Sequence, residues 1–162
     1  MTAREDSNRN AAMTRRWFTE GWTKDSASAR DLFSPDFKTN GEHAGIDGPR
    51  ATVEHRLAAF PDLKSQVEEL IAVDDKIVVR VRWTGTQTGD YAGVPATGKA
   101  VDVRVISIWR FENGKVVENW TRQDQLTLLK QVGFLPETIH AAQVAPPAAP
   151  AAEPVAVTPA ET

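Results

Sequence analysis

From Lys76 to Thr86 the chain reads Lys-Ile-Val-Val-Arg-Val-Arg-Trp-Thr-Gly-Thr. In an extended chain Val79, Val81 and Trp83 share one side, and Arg80, Arg82 and Thr84 share the other. A period of two over this length predicts a strand with one face on a core and one toward water. The flanking segments continue the theme. Residues 65–73 read as a strand that leads in through the turn pair Asp74-Asp75. A loop rich in Gly and Pro, residues 89–98, leads to a long strand over 99–111. Asn113-Gly114 favours a tight hairpin, because both residues tolerate positive φ. Residues 116–124 then pair back.

Helices come first in the chain. Residues 8–22 place Met13, Trp17, Gly21 and Trp22 on one helical face. Residues 26–33 form a second helix that opens on Ser26 as a cap and ends before Pro35. A third opens at Gly48-Pro49 with Asp47 as cap, repeats Val53, Leu57 and Phe60, and stops at Pro61. A short strand over 36–40 separates the second and third helices. Leu126, Leu128 and Leu129 mark a last short helix, with Gly133 just beyond its end. Helices followed by a long antiparallel meander predict an α+β fold. A strongly curved sheet with helices in its hollow would enclose a pocket.

Residues 1–8 are polar and are expected to form a flexible N-terminus, with one domain over 9–135. The Ala/Pro-rich stretch over 136–162 is expected to be a disordered tail. Beyond Pro136 there are three acids and no Lys or Arg, which leaves 19 acids against 19 Lys and Arg in the body. A formally neutral body without a basic run argues against nucleic-acid binding. The absence of Cys excludes thiol nucleophiles and Cys metal sites. No apolar run has the length of a signal-peptide core or a membrane span, so a cytoplasmic protein without membrane contact is expected. Three scattered His and no clustered acids predict no metal site. No phosphate loop, dinucleotide fingerprint or nucleophile elbow is present.

Five pieces of sequence, in order, carry a family resemblance. They are Phe33-Ser-Pro-Asp-Phe37; residues 48–62, ending Ala58-Ala-Phe-Pro-Asp62 and followed by Leu63; Trp83-Thr-Gly-Thr-Gln-Thr-Gly89; Gly93-Val-Pro-Ala-Thr-Gly-Lys99; and Glu118-Asn-Trp-Thr-Arg-Gln-Asp124 with Leu128-Leu-Lys-Gln-Val-Gly133. The chain resembles the SnoaL-like polyketide cyclases (ester cyclases) of the nuclear-transport-factor-2-like superfamily over residues 10–134. The resemblance implies an α+β cone-shaped curved sheet, with the N-terminal helices in its concave face and an open-ended pocket. It also implies a homodimer or higher homo-oligomer, no cofactor, and an apolar carbonyl-containing small molecule as ligand. In such cyclases an Asp near the end of the last strand removes a proton beside a carbonyl, and the enolate closes a ring by aldol addition. By motif that residue is Asp124. Two departures stand out: Asn40 lies where many relatives carry His, and Ala96 replaces a usual proline.

The residues themselves leave alternatives open. Asp124 shares strand parity with Glu118, Trp120 and Arg122 if no bulge intervenes. An aromatic wall beside it would raise its carboxyl pKa toward the working pH. Equally, Asp124 can cap the helix that starts at Gln125. Asn40 is either a substrate contact or a strand-end turn residue. Substrate contacts are expected from Asn40, Trp83, Tyr91, Ile106, Ile108 and Trp120. His55 is expected to point away from its helix's apolar face. Arg80, Arg82, Arg104 and Arg110, with Asp102, suggest cross-strand ion pairs. The rival readings are a non-catalytic binding or dimerisation module and a water-activating epoxide hydrolase on the same fold.

Overall fold

The computed structural model describes residues 2–21 and 28–136. Trp22, Ser26, His140 and the Ala/Pro-rich tail from residue 137 lie outside the described residues. The elements run α1 (Ala3–Glu20), α2 (Ser28–Leu32), β1 (Phe33–Thr39), β2 (Glu42–His43), α3 (Gly48–Ala59), β3 (Lys64–Val73), β4 (Lys76–Thr86), β5 (Ala100–Glu112), β6 (Lys115–Gln123) and α4 (Gln125–Gln131). The strands form one six-stranded sheet in the order β2-β1-β6-β5-β4-β3. It curves without closing, and α1 lies against β3 and β4 in the hollow.

α1 begins at Ala3, not at Asn8, so residues 3–8 are helical where a flexible lead-in was expected. The reason is a capping box. The Glu5 amide donates to the Thr2 hydroxyl (3.3 Å), and the Thr2 amide donates to the Glu5 carboxylate (2.7 Å). Asn10, Thr14, Trp17 and Phe18 are the buried face of this helix. Asp47 does occupy the N-cap position of α3, but its side chain makes no capping hydrogen bond. Pro49 in the first turn costs nothing there, because its missing N–H would have no helical partner.

The strand over 76–86 falls where its alternation placed it, with Ile77, Val79, Val81 and Trp83 buried. Asn113 (φ 49°) and Gly114 (φ 74°) both adopt the left-handed conformation that a two-residue hairpin requires. Two features lie outside the sequence-based expectation. β2 is a short added strand, and β1 pairs in parallel with β6 rather than extending an antiparallel meander. Parallel pairing joins segments far apart in sequence, so no local pattern announces it.

Two apolar clusters fill the hollow. One joins Trp17, Phe18, Phe33, Phe37, Val79, Val81 and Trp109. The other joins Phe60, Trp83, Val101, Val103, Val105, Leu128 and Val132. Edge-to-face ring pairs stiffen both: Trp17–Phe33 at 5.0 Å and Phe60–Trp83 at 5.1 Å between centroids.

Candidate functional site

Between the two clusters lies a cavity of about 560 Å³. That is a normal size for a small-molecule site. Trp17, Phe33 and Phe37 line it from one cluster, Trp83 and Val105 from the other, and Pro49, Thr52 and Val53 from α3. Its polar lining comes largely from β6 and its flanks: Asn40, Asn119, Thr121, Gln123 and Gln125. Around the cavity, four buried polar atoms have no hydrogen-bond partner among the described residues. They are Ser65 Oγ, Trp83 Nε1, Asn119 Oδ1 and Gln123 Oε1. Buried groups left this way cost free energy, and a bound ligand or ordered water would relieve that cost.

Of the residues expected to contact a ligand, Asn40, Trp83 and Tyr91 line the cavity. Asn40 lines the cavity and also makes the strand-end turn that the sequence allowed. Its φ of 51° makes the turn into β2. Its side-chain oxygen accepts from the Thr121 amide (2.9 Å) and from Arg122 Nη1 (2.8 Å), tying the end of β1 to β6.

Ile106, Ile108 and Trp120 do not line it. They lie on the convex face, 52%, 42% and 46% exposed. For Ile106 and Ile108 the cause is the parity of β5, whose concave positions are Val101, Val103, Val105, Ser107, Trp109 and Phe111. For Trp120 it is a bulge. Phe111 faces Val116 and Arg110 faces Glu118, so Val117 is an extra residue on β6. The inward alternation that starts at Val116 is inverted there. Asn119, Thr121 and Gln123 turn inward, while Glu118, Trp120 and Arg122 turn outward.

Asp124 is also absent from the lining. β6 ends at Gln123, the chain bends, and the Asp124 carboxylate accepts from the Thr127 amide at 3.0 Å as the N-cap of α4. The residue is exposed, with no indole wall beside it. Hydrogen bonding by Thr127, through its side chain first and its amide second, holds the carboxyl below the ordinary Asp range. The shift is therefore opposite in direction to the one an apolar pocket would impose. Both sequence neighbours, Gln123 and Gln125, do line the cavity.

Sequence reasoning passed over several lining residues. Arg56 stands three residues after Val53 and four before Phe60, so helical spacing already put it beside the apolar face of α3. Its guanidinium carbon sits 5.1 Å from the Trp83 ring centroid. Burial lowers its pKa, partly offset by Tyr91. Gln87 is fully buried and fixes the loop that carries Tyr91. Its amide nitrogen donates to the carbonyls of Val94 (3.0 Å) and Pro95 (3.2 Å), and its oxygen accepts from the Thr97 hydroxyl (2.8 Å). His55, exposed on α3, contacts the outer side of Tyr91, 5.6 Å between ring centroids.

The arginines on the other sheet face form ion pairs away from the cavity. Arg82 grips Asp102 with two hydrogen bonds of 2.8 and 2.6 Å. Arg110 pairs with Glu118 at 3.3 Å. Among the described residues no group of three His, Cys, Asp or Glu could hold a metal ion. No described helix is long and apolar enough to cross a membrane.

The model of the SnoaL-like polyketide cyclase family matches residues 12–132. No curated protein matches the chain in sequence. Solved structures are similar over most of their length. A protein of Jannaschia Sp. CCS1, provisionally assigned as a SnoaL-like polyketide cyclase, is 28% identical with a TM-score of 0.71, covering 80% of this chain and 94% of its own. IdmH of Streptomyces antibioticus, provisionally a polyketide cyclase, is 25% identical with a TM-score of 0.65, covering 78% and 98%. AclR of Streptomyces galilaeus, provisionally a hydroxylase, is 29% identical with a TM-score of 0.64, covering 83% and 97%. The curved, unclosed sheet with α1 in its hollow is the nuclear-transport-factor-2-like fold. On the match to three quarters of its length and the agreement of its fold, the chain belongs to the SnoaL-like polyketide cyclase family.

Proposed function

We propose that the protein is a cofactor-free enzyme that holds an apolar carbonyl compound in this cavity and moves a proton on it, in an intramolecular aldol cyclisation or a related isomerisation. The observation that carries the reading is the cavity itself, an aromatic chamber around which four hydrogen-bonding atoms have no protein partner among the described residues. In the aldol case a base takes the C–H proton beside a carbonyl. The enolate carbon then bonds to a second carbonyl carbon, and the resulting alkoxide takes up a proton. Electrons and atoms balance with no redox partner.

Asp124 is the base in this proposal. It is ionised at neutral pH and flanked by two lining residues. Releasing its cap hydrogen bond costs about 1 kcal/mol, so a swing toward the cavity mouth is accessible. A carboxylate with a lowered pKa is a weak base, which favours a substrate C–H made acidic by two carbonyls. Asp124→Asn keeps a capping oxygen and removes the base. The test is turnover of a panel of enolisable carbonyl compounds, guided by mass spectrometry of any small molecule that co-purifies. Full activity of the variant would reject Asp124 as the base.

One observation favours a second reading, a non-catalytic binding module. Among the described residues no Asp, Glu or His lines the cavity. Normal ligand binding without turnover on any carbonyl would favour it. The same observation leaves epoxide hydrolysis without an acid at the site.

We also infer a homodimer through the convex face. Ile71, Val78, Ile108 and Trp120 form a cross-strand row over β3, β4, β5 and β6. Glu69, Arg80 and Arg122 flank the row on one side, and Lys76, Arg110 and Glu118 on the other. Both flanks carry both signs, so a copy related by a half-turn meets complementary charge.

A further inference from the structure

The sheet side of the cavity carries a hydroxyl whose hydrogen bonding is half complete. The inward residues Val101, Val103, Val105, Trp109 and Phe111 of β5 are apolar, and Ser107 breaks their run. Ser107 is 2% exposed and lines the cavity. Its oxygen accepts from the indole Nε1–H of Trp109 at 2.8 Å. The direction of this bond is fixed, because an indole nitrogen donates and does not accept. The Ser107 proton therefore points away from Trp109, and it has no acceptor among the described residues. Its neighbours on the sheet offer little. Val79 is the register partner on β4, and Val105 and Trp109 precede and follow it on the same face of β5. Only the β6 side is polar. Thr121, the register partner there, also lines the cavity, and its hydroxyl makes no hydrogen bond among the described residues.

Service to Trp109 does not by itself account for a serine here. The indole N–H gains a partner, but the serine brings a buried donor that needs a partner of its own, and leaving it unpaired costs as much as the first bond contributes. The balance becomes favourable once an acceptor inside the cavity meets the proton. We infer that Ser107, oriented by Trp109 and with the Thr121 hydroxyl beside it, binds a carbonyl oxygen of the ligand. This deepens the proposed function, and it rests on that reading in taking the cavity as the ligand site and a carbonyl compound as the ligand. A neutral donor in a largely apolar surround suits a neutral acceptor such as a ketone oxygen. Its hydrogen bond strengthens as negative charge builds on that oxygen, and Ser107 keeps its proton throughout.

Two naphthalenes of one shape test it: acetylnaphthalene, and isopropenylnaphthalene, in which a methylene group replaces the carbonyl oxygen. Binding is read by calorimetry, and the carbonyl itself by infrared difference spectra of isotope-labelled acetylnaphthalene on the protein. The stretching band of the bound ketone should lie below its position in alkane and toward its position in alcohol, because a hydrogen bond draws electron density out of the C=O bond. Ser107→Ala should move the band back toward the alkane position. The same substitution weakens acetylnaphthalene by about two- to tenfold, the worth of one neutral hydrogen bond, and leaves isopropenylnaphthalene within about twofold. A serine that served only Trp109 would change both ligands alike, through the packing they share, or neither.

A band at the alkane position in the unmodified protein, a band unmoved in Ser107→Ala, or affinity losses that are equal or absent for the two ligands overturns the carbonyl site while leaving the ligand cavity standing. So does a ketone that fails to bind where the alkene binds. Failure of both naphthalenes to bind the unmodified protein overturns the carbonyl site and the ligand cavity together. Should Ser107→Ala not fold, Ser107→Cys keeps the shape and replaces the hydroxyl by a weak donor. The band should then move the same way by a smaller amount, and a band unmoved in that variant overturns the carbonyl site.

Discussion

Substitutions at Asp124 separate a structural task from a chemical one. The carboxylate accepts from the Thr127 amide at 3.0 Å and is otherwise exposed, so its folding contribution is that of an N-cap at a helix positive end. Asp124→Ala removes the acceptor and costs about 1 kcal/mol. For a folded body of this size that lowers Tm by about 4 °C. Asp124→Asn keeps the acceptor and loses only the charge, a cost of about 0.3–1 kcal/mol. The pH dependence follows from the lowered folded pKa. The charge's stabilisation is fully present above the unfolded Asp value near 3.9 and fades as pH falls through the lower folded value. Both variants should therefore lie closest to the unmodified protein in the most acidic buffers. Urea denaturation from acid to neutral pH, with parallel assays of turnover, reads all of this. If Ala is no less stable than Asn, the capping argument fails. If Asn retains turnover while Ala loses only stability, Asp124 is a cap and not the base.

Gly89→Ala should lose about 1–3 kcal/mol in urea denaturation. The added Cβ would meet the Ala58 carbonyl oxygen at 2.5 Å and Ala59 Cα at 3.1 Å, both backbone atoms that have no rotamer to yield. Gln87→Leu should cost about 2–3 kcal/mol, by leaving carbonyls of the Tyr91 loop unpaired. Faster amide exchange over 90–97 and weaker ligand binding would accompany it; unchanged exchange would refute the anchoring role. Ile108→Glu and Trp120→Glu should convert a dimer to a folded monomer in light scattering and leave cavity binding intact. A mass unaffected by either would remove the convex face as the interface. Arg82→Met should change stability by less than about 1 kcal/mol, because its pair with Asp102 is solvent-facing.

Local chemistry in the sequence determined most of the elements. The alternation through 76–86, the Asn113-Gly114 pair and the apolar spacing of α3 each act within a few residues, so each is legible in the order of the amino acids alone. The order of motifs pointed to the family, and with it to the sheet. That Asn40, Trp83 and Tyr91 line the cavity was legible, because turn propensity and strand parity are local properties too.

Tertiary structure decided which way each face points. Alternation says which residues share a face, never which face is inside, and one extra residue at Val117 reversed the answer for Trp120 and its neighbours. It also committed Asp124 to the end of α4 and drew Arg56 from a helix flank into the cavity wall. Those outcomes depend on pairing and packing between distant segments, such as the hydrogen bond that joins Asn40 to Thr121 across 81 positions of sequence. No local pattern carries that information, because the competing orientations differ only once the partners are in place.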